Sequence, residues 1–586
     1  LRRLLLSTAI VVACGGVVAG CGSQSTSPYP DLPSGALVVE SDGSRLLAPE
    51  QRAVSADRAE SRDAVLAIFE GRVSDSDERP YSARFVRSIE ADLYRDRDPN
   101  DRRPRHWVTR AKVVDASGDV LWRDRVNSLF QLLDFLRVSL EKTPSIPFDI
   151  QQIYALAKQR YPELLKFGLK IPLDLKGAEQ YVLEIPDASG EYYEVGRFDL
   201  DKLVEAAAPP DVDTEVRPLH ETGPPADRID LAILGDGYTA EQKKEFLGDA
   251  RAVTDRLLNT SPFDSHRRFL NIRAVWTPSA ESGAGYDCTE LLDPDCKRDF
   301  RDTVFNYVFA IDALADRFGV DLPQSLHRVA FPTEIAKMYE VAATAHYDEI
   351  LMLSNTDRRS GFAGMYESVL TAFDNRRRFP DVAVHELGHS FGALGDEYYI
   401  EGDPCVDDGG PLPPNISRHA SADRLKWRTW TDEETPLPTP RGHRDEIRVG
   451  AFERAYNCSD LYRPSFNCRM RDSAHPSFCP VCREQLVRRH YAHVDLLRRG
   501  YPRVRRLGPE TVRFIAGVRA EGRLTAIDWR LNGEVVGEGP TLELDAGEIG
   551  SSGARLTMDV DEFSTFVRQT DRRLEVSSAW RLHLAP

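Results

Sequence analysis

Two histidines four residues apart constrain this chain more than any other feature of its sequence. His385 and His389 lie in the stretch VAVHELGHSF, whose apolar residues have the pattern of a buried helix. Residues four apart share one helix face, so both imidazoles can approach a single metal ion. Glu386 lies one position around the helix, where its carboxylate can reach a water bound to that ion. The pattern predicts a hydrolytic zinc site, and the alternative is two surface histidines in a hydrogen-bond network.

The residues on either side of this helix favour the zinc site. Pro380 suits the first turn of a helix, where its missing N–H costs no hydrogen bond. Gly392 follows three residues after His389 and predicts a left-handed turn that ends the helix. The chain can then return a third ligand, since catalytic zinc takes three protein ligands and keeps one open position. The candidates for this ligand are Asp396 and Glu397.

The motif resembles that of a known peptidase family. HELGHSFG is similar to the start of the metzincin motif, but the position of the metzincin third ligand is Gly395 here, and Asp396 follows one residue later. That departure resembles the M64 family of bacterial metallopeptidases, whose named member cleaves immunoglobulin A. The segments IDLAILGDGYT, SPFDSHRRFLNI, ESGAGYDC, YRPSFNCRMR and FCPVCRE are similar to that family as well. The likeness spans about Arg228 to Arg488.

The resemblance implies a zinc metallopeptidase with Zn²⁺ as its cofactor and a protein or peptide as its substrate. The implied site comprises the ligands His385, His389 and Asp396, the reserve ligand Glu397 and the general base Glu386. Met470 in NCRMR resembles the methionine that lies beneath the zinc of metzincins, although a methionine that fills the core is the alternative. The segment NTDRRSGFAGMYES would supply an edge strand for the substrate, with Gly361 and Gly364 allowing close approach, unless it is a mobile loop.

Seven of the nine cysteines follow Cys21: Cys288, Cys296, Cys405, Cys458, Cys468, Cys479 and Cys482. Exported proteins can form disulfides, and an odd number leaves at least one cysteine free or bound to something else. Cys288 and Cys296 are separated by seven residues and are predicted to bridge their own loop.

The last cysteines allow two interpretations. Cys468, His475, Cys479 and Cys482 have the spacing Cys-x6-His-x3-Cys-x2-Cys. This spacing could hold a second, structural zinc ion. The alternative is that one of these cysteines forms a disulfide with Cys405 or Cys458, which an oxidising compartment favours.

The N-terminal segment predicts export. Arg2 and Arg3 precede an apolar run from Leu4 to Val18, which is typical of a secretory signal over residues 1–20. The sequence Val-Ala-Gly-Cys then resembles a bacterial lipobox, which implies lipidation of Cys21; a plain signal peptide is the alternative. A Ser- and Pro-rich tether follows over residues 21–36. We therefore expect an exported bacterial lipoprotein at the outer membrane or cell surface, held there through its lipid.

Three folded domains are expected in an α+β multidomain chain. Residues 37–210 predict a mixed, mostly β domain that includes a hairpin with its turn at Ser117-Gly118. Residues 228–500 predict an α/β core, which the resemblance implies is a metzincin-like peptidase domain. Its expected elements are a strand in IDLAILGDGYT, a helix capped by Thr239 and Gln242, a helix over 301–317 and a strand over 347–355. Residues 503–586 predict an Ig-like β-sandwich with a hairpin at Asn532-Gly533.

The charge of the chain bears on the kind of partner it can bind. The net charge is −17 and no basic tract is present, which argues against a nucleic-acid partner.

Besides a lipid-anchored zinc endopeptidase, two alternatives are a non-catalytic surface-binding lipoprotein with a vestigial metal site and a zinc hydrolase of a non-peptide bond. The intact Glu386 argues against a binding protein, because binding alone needs no general base.

Overall fold

A computed structural model gives the fold. It describes residues 36–46, 62–74, 79–93, 109–126, 158, 162–173, 175–187, 191–286, 300–309, 330–357, 360–363, 369–373, 378–403, 405, 407, 411–444, 446–494, 496–497, 501–519, 525–549, 553–562, 565–568 and 574–584. The expected signal, Cys21, Gly364, Cys288 and Cys296 lie outside these residues. Among the described helices, none has both the length and the apolar character needed to cross a membrane.

The strands of the described residues are β1 Leu37–Leu46, β2 Arg62–Val73, β3 Tyr81–Leu93, β4 Thr109–Val114, β5 Val120–Val126, β6 Lys166–Pro172, β7 Gln180–Pro186, β8 Tyr192–Asp199, β9 Ala207–Ala208, β10 Glu215–His220, β11 Ile229–Asp236, β12 Leu270–Trp276, β13 Gly285–Tyr286, β14 Tyr307–Phe309, β15 Phe331–Pro332, β16 Glu349–Ser354, β17 Ser360–Ala363, β18 Val369–Phe373, β19 Phe452–Ala455, β20 Cys458–Arg463, β21 Arg503–Arg506, β22 Thr511–Ile515, β23 Thr525–Leu531, β24 Glu534–Glu538, β25 Thr541–Asp545, β26 Ala554–Glu562 and β27 Glu575–Leu584. The α-helices are α1 Leu200–Glu205, α2 Lys243–Leu258, α3 Phe263–His266, α4 Ile335–Ala343, α5 Phe379–Ser390 and α6 Pro480–His493.

A six-stranded sheet carries the peptidase region, in the order β10-β12-β11-β16-β18-β17. The four central strands are parallel, and the two edge strands β10 and β17 are antiparallel to their neighbours. Every residue of β11, β12 and β16 is buried, which explains why their sequences are nearly continuous apolar runs. The strands predicted in IDLAILGDGYT and over 347–355 are confirmed as β11 and β16, and the capped helix is confirmed as α2 with the short turn before it.

The helix predicted over residues 301–317 is wrong where the structure describes that segment. Tyr307–Phe309 form strand β14 instead. The cause is the buried carboxylate of Asp236, which accepts hydrogen bonds from the backbone N–H groups of Phe305 at 2.7 Å and Tyr307 at 3.2 Å. These bonds commit backbone donors that a helix would use internally, and they hold the segment extended beside the end of β11.

The region before the peptidase segment is mostly β, as predicted, with one sheet in the order β6-β2-β3-β9 and another in the order β5-β4-β7-β8. It is not separate from the peptidase region, because one apolar core includes buried residues of both. Gly168 lies so close to the ring of Tyr339 that a Cβ at residue 168 would be 2.8 Å from it. Arg87 forms a 2.7 Å ion pair with Glu340. The predicted boundary between residues 210 and 228 therefore does not divide two compact units.

The second compact unit combines β1 with the described residues from Val494 onwards. It has a sheet in the order β1-β27-β26-β23-β24 and another in the order β21-β22-β25. Phe514 on the smaller sheet contacts Trp529 and Trp580 on the larger one, so the two sheets share a core. The predicted hairpin turn at Asn532-Gly533 is present, with both residues at positive φ. The α+β class is confirmed, whereas the Ig-like topology stays a prediction.

Strand β1 corrects the predicted start of the N-terminal domain at residue 37. It pairs antiparallel with β27, with Leu37 opposite Leu584, and so belongs to the C-terminal unit. Leu37 and Val38 are buried there. Pairing between the two ends of a chain leaves no local sequence signal, so the strand was assigned to its neighbours in sequence.

Candidate metal centre

Helix α5 presents the predicted histidines and glutamate from a buried position. It begins at Phe379 with Pro380 in its first turn, and nearly all of its residues are buried. The helix packs against strands β17 and β18 and against helix α2. His385 and Glu386 are only 7% and 6% exposed, respectively. Polar side chains of this kind are rarely buried in a helix unless they have partners, so their surroundings decide what they do.

The imidazoles of His385 and His389 converge on the carboxylate of Asp396. Asp396 Oδ1 lies 3.1 Å from His385 Nε2 and 3.2 Å from His389 Nε2, and the two Nε2 atoms are 3.2 Å apart. His385 Nδ1 donates to the carbonyl oxygen of Arg469 at 2.8 Å, and His389 Nδ1 donates to that of Leu394 at 2.7 Å. A carbonyl only accepts, so the proton belongs on Nδ1 and each Nε2 can direct a lone pair at the shared centre.

Electrostatics at this centre favour a positive charge. Burial alone would lower the pKa of His389, but the carboxylate of Asp396 outweighs burial and raises this pKa to about 9. Burial alone would raise the pKa of Asp396, whereas the two imidazoles hold it well below its usual range. Two imidazoles and one ionised carboxylate that share a centre are a donor set that suits a divalent metal ion.

The turn after α5 returns Asp396 to the histidines. Ala393, with φ of 53°, is the left-handed residue, so the prediction that Gly392 takes this conformation is wrong. Gly392 is needed for space instead: a Cβ there would lie 2.5 Å from the carbonyl oxygen of Gly388. Ala393 N donates to the carbonyl oxygen of His389 at 2.9 Å, which closes the end of the helix. The glycine therefore lets the chain fold back tightly against its own helix.

Asn415 holds the segment that carries Asp396, and the sequence interpretation missed it. Its side chain accepts from Gly395 N at 2.8 Å and donates to Gly395 O at 2.8 Å. The same amide donates to Glu397 Oε1 at 3.0 Å, and Asn415 is fully buried. Twenty residues separate Asn415 from its main partner, so no local pattern reveals the contact. The amide thus fixes the backbone of the residue before Asp396 and the side chain of the residue after it.

Met470, the residue that the resemblance makes a Met-turn methionine, packs against helix α5 at Gly388. A Cβ at Gly388 would be 2.6 Å from the sulfur of Met470, which is fully buried. The neighbouring Arg469 is also fully buried and forms a 3.0 Å ion pair with Asp381 in the first turn of α5. Asp381 also pairs with Arg256 of α2 at 2.8 Å. These contacts fix the carbonyl oxygen of Arg469, which accepts the hydrogen bond from His385 Nδ1.

Glu397 does not join this centre, although it was the reserve ligand. Its Oε1 atom lies 3.1 Å from Cys482 Sγ and 3.9 Å from Cys479 Sγ, and Cys468 completes a second group whose ligand atoms lie within 4.8 Å of one another. All four residues are buried, and burial raises the pKa of Glu397 well above its usual value. Adjacent residues in an extended segment point to opposite sides, which explains why Asp396 and Glu397 reach different groups.

The cysteine predictions need two corrections. Cys405 forms a disulfide with Cys458, so neither is available to the three buried cysteines, which are free thiols. His475 is not part of the second group of ligand atoms; its Nδ1 atom lies 2.8 Å from the carbonyl oxygen of Ser477. Spacing alone therefore gave the wrong fourth member, because the position is taken by Glu397 from a segment distant in sequence.

Strand β17 forms the edge of the six-stranded sheet next to α5. Gly361 of this strand is so close to α5 that a Cβ there would lie 2.5 Å from Glu386 Oε1 and 2.7 Å from Val382 Cγ1. The backbone of an edge strand thus runs beside the carboxylate predicted as general base.

Comparison with known families agrees with this geometry. Residues 217–447 match the model of the family described as IgA Peptidase M64. Through this region, the chain is similar to the M64 peptidase family. The match includes helix α5 and Asp396 and ends before Met470 and the three buried cysteines. M64 peptidases are metallopeptidases, and the chain has two groups of residues that could hold a metal ion. No match was found among curated proteins.

Proposed function

We propose that this protein is a zinc endopeptidase whose metal is held by His385, His389 and Asp396. The convergence of the three ligand atoms is the observation that carries the proposal. Ligands about 2.0–2.1 Å from a tetrahedral zinc ion are about 3.3 Å from one another. The three separations here are 3.1, 3.2 and 3.2 Å, and both imidazoles have their other nitrogen engaged by a carbonyl oxygen.

Each residue of the site then has a distinct task. Zinc bound there supplies a Lewis acid that polarises a carbonyl and lowers the pKa of water towards about 7. The buried Glu386 takes a proton from the water that attacks the scissile carbonyl and passes it to the leaving amine. The edge strand β17 aligns an extended peptide by backbone hydrogen bonds, beside that carboxylate. Peptide hydrolysis therefore needs only groups that lie together here.

The test is the variant Glu386→Gln, which keeps the size of the side chain and removes its basicity. We expect kcat/KM on a fluorescently labelled generic protein to fall by about 10² to 10⁴, the usual contribution of a general base. Zinc content measured by mass spectrometry should stay at the wild-type value, because Glu386 is not a ligand. Asp396→Ala should instead lose the zinc ion of this site together with the activity. Proteolysis by Glu386→Gln at the wild-type rate would refute the assignment.

A further inference from the structure

A second group of metal-binding atoms lies on the other side of the segment that carries Asp396. It comprises the thiols of Cys468, Cys479 and Cys482 and the carboxylate of Glu397, which are 4% exposed or less. Their ligand atoms all lie within 4.8 Å of one another. Three thiols and one carboxylate are four donors, which is the number that a closed tetrahedral site requires.

The separations within this group fit a sulfur-bound zinc ion. Zinc–sulfur bonds of about 2.3 Å place two sulfurs of a tetrahedral site about 3.8 Å apart, and a sulfur and an oxygen about 3.6 Å apart. Cys468 Sγ and Cys482 Sγ are 3.8 Å apart. Glu397 Oε1 lies 3.1 Å from Cys482 Sγ and 3.9 Å from Cys479 Sγ. The distances thus bracket those of a bound ion.

Hydrogen bonding around the group also points to a cation. Two backbone N–H groups, those of Met470 at 3.4 Å and Cys479 at 3.2 Å, donate to Cys468 Sγ, and such donors stabilise a metal-bound thiolate. Glu397 Oε2 is buried without a hydrogen-bond partner among the described residues. A buried carboxylate oxygen without a donor is costly, and a metal ion beside it removes that cost. The buried guanidinium of Arg463 adds compensating positive charge near Glu397.

We propose that Glu397, Cys468, Cys479 and Cys482 bind a second, structural zinc ion. All four positions are filled by protein atoms, so this ion has no place for a substrate or a reactive water. Binding releases the thiol protons to solvent and involves no oxidation. A disulfide between two of the cysteines would use only two of the four donors and leave the third thiol and the carboxylate buried together.

This ion would stabilise the proposed catalytic centre by linking two of the segments that form it. Glu397 follows Asp396 directly, and its N–H donates to the carbonyl oxygen of Met470 at 2.8 Å. Cys468 precedes Arg469, whose carbonyl oxygen accepts the hydrogen bond from His385 Nδ1. The four ligands therefore link the segment of the third catalytic ligand to the turn beneath the helix, while helix α6 contributes Cys482.

Metal counting tests the proposal and separates it from the proposed function. The full chain should contain about two zinc ions per molecule, and the His385→Ala/His389→Ala double variant about one. One ion in the wild type and none in the double variant would overturn the second site and leave the catalytic site standing. One ion in both proteins would support the structural site and refute the catalytic one.

Cobalt substitution identifies the ligands of the second ion without using activity. Thiolate bound to Co²⁺ gives a near-ultraviolet charge-transfer band that imidazole and carboxylate do not give. We expect this band in the wild type and in the His385→Ala/His389→Ala variant, and we expect Cys479→Ser/Cys482→Ser to lose it. Absence of the band from cobalt-loaded wild-type protein would overturn the proposal.

His475→Ala is the matched control, because sequence spacing makes His475 a ligand and the structure does not. It should keep both ions, whereas Glu397→Gln should lose the second one or bind it at least about tenfold more weakly. Loss of the second ion from His475→Ala would overturn this ligand set.

If the cysteine variants do not fold, alkylation of the wild type reports each cysteine by peptide mass spectrometry. All three should be protected until a chelator is added, and a Cys468–Cys482 disulfide would contradict the proposal.

Discussion

At the scale of single residues, the centre depends on positions where only a small side chain fits. Gly361 borders Glu386, Gly388 borders Met470 and Gly392 borders the end of its own helix. The spacing of the histidines and their glutamate was readable from sequence because one helical turn relates them. The contacts of Asn415 and Arg469 were not readable, because their partners are 20 and 88 residues away. Such partners become neighbours only through the tertiary fold.

Gly361→Ala should lower activity without removing metal. The added methyl group would lie 2.5 Å from Glu386 Oε1 and 2.7 Å from Val382 Cγ1, so the carboxylate must move. Displacing a catalytic group by about 1 Å can cost up to about 100-fold, so we expect kcat to fall at least about tenfold. Gly248→Ala in α2 is the control, because it has nothing within 4 Å and should keep wild-type kcat. An unchanged kcat for Gly361→Ala would show that Glu386 tolerates displacement.

At the scale of elements, the apolar runs were the reliable signal. Strands β11 and β16 were predicted closely because a continuous run of buried residues is hard to place elsewhere in an α/β fold. The helix predicted over residues 301–317 is wrong because its backbone N–H groups donate instead to the carboxylate of Asp236, a residue of β11. The local helical pattern cannot show a partner on another element.

His490 of α6 should make the protein sensitive to acid. Its ring is fully buried against Phe263 and Phe391, and burial together with the charge of His266 lowers its pKa to about 3. The unfolded chain takes up this proton near pH 6.5, so between about pH 6.5 and 3 the unfolded state binds more protons. Stability is therefore full above pH 6.5 and falls on acidification, by about 1.4 kcal/mol per pH unit from this group.

His490→Phe should reduce this acid sensitivity, because phenylalanine fills the site and cannot titrate. Thermal unfolding followed between pH 7 and pH 5 should show a shallower fall in Tm than the wild type. His443→Phe is the control, since His443 is exposed and its replacement should leave the slope unchanged. Equal slopes for His490→Phe and the wild type would contradict the burial argument.

At the scale of the whole molecule, the domain plan differs from the linear order of the chain. Sequence patterns located the hairpin turn of the C-terminal unit at Asn532-Gly533, but they could not show that β1 joins this unit. They also suggested a boundary near residue 210 that the shared apolar core does not have. Composition and turn residues report local breaks in regular structure, whereas the units of a fold are set by long-range packing.

Removing residues 1–46 should destabilise the C-terminal unit. The deletion exposes the edge of β27 and takes away the buried side chains of Leu37 and Val38, each worth about 1.5–3 kcal/mol. Limited proteolysis should then cut the chain beyond Val494 sooner than in a control that starts at residue 36. Zinc content should stay the same in both. Equal rates of proteolysis would show that β1 contributes little to the sheet.

The antiparallel pairing of β1 with β27 also sets an order of assembly during synthesis. Among the described strands, β1 is made first and its partner β27 last, so this sheet closes only after residue 584 has been made. The intervening peptidase segment can complete its own core earlier. Until then, the backbone N–H and C=O groups of β1 lack their partner strand. The nascent chain therefore depends on whatever prevents β1 from pairing with a strand of another chain.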